Sequence, residues 1–151
     1  MTVEFTVGLR RVLLVWAGSW FAVWTIWLYL TASFHPTFSL ALIVTTSLIA
    51  AYAAAVACNH WLLLPRLSAN GNAIQYALSL AITMAGLTAT ALTVIRISYL
   101  LHVGPDADPY GVYKHYLIDL FGMAVHVAVA AIIIWLISRT RSGSGRLVKH
   151  D

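Results

Sequence analysis

The chain has 151 residues, 61% of them hydrophobic and 9% charged, where soluble domains carry about 25% charged residues. So few charges exclude a water-soluble fold of this size, because lipid must cover the surface that charges leave bare. The formal charge of +4 is spread over several connections, which fits membrane topology and argues against a nucleic-acid surface.

The first helix is expected over 12–30. Arg10 and Arg11 precede a long apolar run with no small-residue cleavage site, so this helix is expected to stay in the mature protein. It carries Trp16, Trp20, Trp24 and Trp27 along one face. Trp20 and Trp24 fall near mid-membrane, where they serve either as lipid-facing or core bulk or as the wall of a site for a ring-shaped ligand such as a quinone or haem. Phe34-His35-Pro36 ends the run, since proline disfavours helix in the residue before it.

The second helix is expected over 39–64, ending at Pro65. Ser47, Ala51 and Ala55 recur at spacing four, as do Ala50 and Ala54. Such stripes let helices approach closely in lipid, within one bundle or between two copies. Cys58 has no second cysteine to pair with and lies among alanines as a packing residue.

Asn70-Gly71-Asn72 is a turn signal. The third helix follows over 75–101, with Arg96 in its outer third. The next connection holds Pro105, Asp106, Asp108 and Pro109, where Asp108 reads as an N-cap and Pro109 as the first helical residue. The fourth helix is then 109–138, with its lipid-buried part from about 118, and 139–151 is a flexible basic tail.

Each run approaches or exceeds the ~20 residues that cross a bilayer, and short connections favour antiparallel neighbours. Arg10, Arg11, Arg66, Arg139, Arg141, Arg146 and Lys149 fall on one side of a four-span model; Lys114, Asp106 and Asp108 fall on the other. The expected fold is an all-α integral membrane protein, an up-down bundle of four transmembrane helices with both termini cytoplasmic.

Ionisable residues inside spans are costly and are functional candidates. Arg96 and Asp119 lie at similar depth on consecutive helices and are expected to form an ion pair. His126 lies near the middle of the fourth helix. It is either satisfied by hydroxyls at its depth (Thr45, Thr88 or Thr90) or a cofactor contact. His60 is too far from that depth to form a bis-histidine haem site with it. His35, His102 and His115, with Asp106 or Asp108, form a weaker zinc or copper candidate outside the membrane. No nucleophile motif, phosphate loop or cysteine pair occurs, so no catalytic activity is expected.

From Asn59 the chain reads Asn-His-Trp-Leu-Leu-Leu-Pro-Arg-Leu, with Tyr76 soon after. This stretch, Asn59 to Leu78, resembles the junction between two membrane helices in the N-terminal region of LytS-like sensor histidine kinases. The resemblance implies a signal-input or membrane-anchoring module; the kinase domain of that family has no counterpart after Arg139. The reading that follows is a non-enzymatic bacterial inner-membrane protein that touches a partner membrane protein or a second copy through its helices. The alternative is an accessory subunit of a redox or transport complex, facing haem or quinone with His126, Trp20 and Trp24.

Overall fold

The computed structural model describes residues 2–105 and 112–144, with side chains described over 12–69, 71–105 and 115–136. All its regular structure is helical: α1 Thr2–Thr31, a short 3-10 turn Ala32–Phe34, α2 Phe38–Cys58, a π-turn Asn59–Leu63, α3 Leu64–Asn70, α4 Ala73–His102 and α5 Val112–Ser144. Four stretches are long and apolar enough to cross a membrane: Val12–Phe34, Phe38–Ala69, Ala73–His102 and His115–Leu136. The protein is a multi-pass, all-helical membrane protein.

The boundaries follow from local chemistry. Pro36 forces His35 into extended backbone and stops the helical run. Thr37 then caps α2, its hydroxyl accepting from the Leu40 amide. Gly71 takes the left-handed conformation that ends α3, and Asn72 caps α4 by accepting from the Gln75 amide at 2.9 Å. The turn read from Asn70-Gly71-Asn72 is therefore present. The expected start at Asp108 and Pro109 lies outside the described residues.

Two expected ends need correction. The second span does not end at Pro65 but runs on to Asn70. Proline lacks the amide for the i−4 bond and its ring crowds that carbonyl. The π-turn just before it, in which the Leu64 amide bonds to the Asn59 carbonyl, absorbs the misfit so that the helix continues. Likewise α5 stays helical to Ser144, so 139–144 are not part of a structureless tail.

In an 18-residue apolar stretch of the second span, Phe38–Ala69, 56% of the residues are buried, against 0% in that of the first and 11% in that of each of the other two. It is the central helix, packed on α1, α4 and α5. The first small-residue stripe faces inward, with Ala51 and Ala55 in the core, whereas Ala50 is exposed. Large apolar side chains such as Leu14, Phe21, Ile82, Phe121 and Ile132 point outward, as helices do when lipid is the solvent.

Contacts between α1 and α2 join Trp16 to Trp61 and Trp24 to Thr46; those between the α2 region and α4 join His35 to Tyr99 and Asn59 to Tyr76. Both pairs of helices count in opposite directions. The α4–α5 contacts rise together instead: the Ala85 carbonyl meets Tyr116, and Thr88 meets Met123. A strict up-down order would set Tyr116 against the far end of α4.

Candidate functional site

A group of polar and aromatic side chains gathers where α5 meets the middle of α2. The His126 Nδ1 lies 2.8 Å from the Gly122 carbonyl, one turn earlier. A carbonyl only accepts, so the ring donates from Nδ1, and in the neutral form Nε2 keeps a free lone pair. The Tyr52 ring lies 4.7 Å from the imidazole, and the Trp27 indole meets it edge-on at 6.3 Å. The Tyr52 hydroxyl donates at 3.4 Å to the Asp119 carbonyl.

Gly122 makes this arrangement possible. A Cβ at that position would lie 2.8 Å from the Tyr52 hydroxyl oxygen, so any other residue would displace the phenol. Nearby, the buried Thr88 hydroxyl donates to the Met123 sulfur at 3.7 Å. Thr45 is fully buried, and its hydroxyl has no hydrogen-bond partner among the described residues.

Several residues singled out from the sequence lie elsewhere. Trp24 donates from Nε1 to the Thr46 hydroxyl at 3.0 Å and stacks on Phe21. Trp20 packs on Trp16. Trp27 is the helix 1 tryptophan whose ring meets His126. The threonines do not satisfy His126 either: Thr90 bonds to its own helix at Gly86, and Thr88 to Met123. The imidazole instead uses a carbonyl of its own helix.

The structure does not pair Arg96 with Asp119. Arg96 is exposed and makes no ion pair or hydrogen bond among the described residues, while His115 lies one turn before Asp119 on α5. The register of α5 explains this, since it sets Asp119 beside Tyr52 in mid-α2 while Arg96 sits toward the C-terminal end of α4. His35 and His102 also part company. His35 meets the Tyr99 hydroxyl at 2.5 Å, and His102 bonds to the Ser98 carbonyl. Among the described residues, no three His, Cys, Asp or Glu are grouped to hold a metal ion; Asp106 and Asp108 lie outside them.

Sequence reasoning missed Tyr52, Met123 and Gly122, and it placed Trp27 on the tryptophan face without singling it out for His126. The available signals were a tyrosine inside a small-residue stripe and a glycine one turn before an intramembrane histidine.

The segment that carries the family resemblance has a built geometry. The Tyr76 hydroxyl donates to the side-chain oxygen of buried Asn59 at 2.8 Å, tying the start of α4 to the first residue of the π-turn. No family model matches this chain, nor does any curated protein or solved structure.

Proposed function

We propose that this protein is a non-enzymatic module of a bacterial inner membrane, similar to the membrane-input region of a LytS-like sensor kinase. It acts through helix–helix contacts with a partner membrane protein or a second copy. The observation that carries this reading is Arg96. Its guanidinium lies on the exposed side of α4, inside a membrane span, with no ion pair among the described residues. A charge in that position is costly against hydrocarbon, and a carboxylate on a neighbouring helix relieves the cost. The bond between Asn59 and Tyr76 supports the sensor resemblance, because it gives two residues of the resembling stretch a joint role.

The test places a photo-crosslinking residue at Ile97 or Leu100, both exposed beside Arg96, in native membranes. The expected product is a protein adduct that weakens when Arg96→Gln is added. Adducts to lipid alone, unchanged by that substitution, would overturn the reading.

A second reading rests on the lone pair of His126 Nε2 beside Tyr52 and Trp27. In it, the protein is an accessory subunit whose His126 contacts haem or a quinone. Protein purified from its native membrane would then show a haem band or carry extractable quinone, and folded His126→Gln would lose it. A colourless, quinone-free wild type removes this reading.

A further inference from the structure

At the hairpin between α3 and α4, a cleft of about 60 Å³ is lined by Leu63, Arg66, Asn72, Gln75, Tyr76 and Ser79 among others. One water needs at least ~10–15 Å³ of such space, so the cleft has room for several water-sized groups, such as the oxygens of an oxyanion. An open apolar groove adjoins it, lined by Ile74, Leu78 and Ile82, and shares Asn72, Gln75 and Ser79 with the cleft. These three apolar residues recur at spacing four and are well exposed. They form a stripe that leads away from the cleft along α4. The hairpin joins spans that end at Ala69 and begin at Ala73. It therefore lies at a membrane–water interface whichever way the chain is inserted.

Tyr76 commits its hydroxyl to Asn59, but the other polar side chains around the cleft keep donors to spare. Arg66 is exposed and has no partner among the described residues. Asn72 spends its side-chain oxygen on the Gln75 amide, which leaves its NH₂ group free to donate elsewhere. Thr83, Thr90, Thr93 and Ser98 all return their hydroxyls to the carbonyl one turn back, and Thr88 bonds to Met123. Ser79 is the hydroxyl of α4 that has no partner among the described residues. No carboxylate lines the cleft. The first-turn amides of α4 and its helix dipole add positive potential at the same place.

We propose that this hairpin binds one anionic phospholipid, with the phosphate held by Arg66, Asn72, Gln75 and Ser79 and an acyl chain lying along Ile74, Leu78 and Ile82. A polar, cationic cleft that opens into an apolar groove at the interface matches the two ends of that molecule. Neither end alone would require both features.

The full-length protein, stripped of lipid in an uncharged detergent, provides the test. Its thermal unfolding midpoint is followed while phosphatidylglycerol, phosphatidylcholine or inorganic phosphate is added at matched concentrations. Phosphatidylglycerol should raise the midpoint, and the other two should leave it unchanged. Arg66→Gln should weaken the phosphatidylglycerol response about fivefold, the attraction of one basic side chain to an anionic membrane surface. Ser79→Ala tests the same cleft without altering charge, and Leu78→Ser should weaken the lipid response through the groove. Equal responses to the two lipids, or a full phosphatidylglycerol response in both Arg66→Gln and Ser79→Ala, would overturn the proposal. A full response to inorganic phosphate would reassign the cleft to a free oxyanion and overturn the lipid assignment.

Discussion

The Tyr76 hydroxyl and the Asn59 side-chain oxygen form a 2.8 Å hydrogen bond that ties the first turn of α4 to the π-turn at the end of α2. Asn59 is only 3% exposed, so water cannot replace its partner. Tyr76→Phe should lower stability by ~0.6–2 kcal/mol, the range for hydrogen bonds between membrane helices. Asn59→Leu added to Tyr76→Phe should recover part of that loss by removing the stranded acceptor. Thermal midpoints of the two single variants and the double variant measure the coupling; simple additivity would mean that the bond contributes nothing.

A second pair is steric. Gly122→Ala should destabilise the protein by ~1–3 kcal/mol through overpacking, because the new methyl would lie 2.8 Å from the Tyr52 hydroxyl oxygen. Tyr52→Phe removes that oxygen at the cost of one long hydrogen bond. Adding it to Gly122→Ala should restore most of the stability. If the double variant is as unstable as the sum of the singles, the two groups do not collide.

His35 gives a pH dependence. It lies in the connection before α2, and burial holds its pKa below the usual 6.5. The folded state therefore favours the neutral ring, which accepts from the Tyr99 hydroxyl at Nδ1 when its own proton is on Nε2. As pH falls through 6.5 the unfolded chain takes up a proton before the folded one does. Stability is then fully present above that pH and declines below it until the folded pKa is reached. Thermal midpoints between pH 7.5 and 5 should fall in the wild type and fall less in His35→Gln. Parallel curves for the two proteins would assign the decline to other groups.

Topology can be read with reporter fusions. The grouping of basic residues places positions after Arg66 and after Lys149 in the cytoplasm and one near Asp106 outside. The contacts of α5 with Ala85 and Thr88 make the Lys149 fusion the most informative. An external signal there would mean that α5 crosses in the same direction as α4.

The four spans were legible in the sequence because length and apolar content fix them, and Pro36, Gly71 and Asn72 mark their ends through backbone chemistry that needs no tertiary context. Passage of the second helix through Pro65 was not legible, because a proline reads as a stop unless a π-turn precedes it, and a π-turn has no sequence signature. The neighbours of His126 were hidden for a different reason. From 117 to 136, α5 is apolar on nearly every side, so no stripe reveals which face turns inward or how far the helix slides along its partners. The expected pairing of Arg96 with Asp119 assumed a depth match that only the register of α5 could decide. The cleft at Arg66 drew no notice because it depends on which hydroxyls are already spent, and a sequence does not show that.

The central place of α2 has a consequence for biosynthesis. Its lasting neighbours are α1, α4 and α5, and two of these are made after it. When α2 leaves the insertion machinery, Tyr76, which will take up the Asn59 oxygen, has yet to be translated. The newborn chain thus carries an unsatisfied amide at the membrane edge until α4 arrives. A ribosome stalled before α4 should therefore present a two-helix intermediate that membrane proteases and insertases recognise as unfinished, and completion of the first turn of α4 should end that exposure.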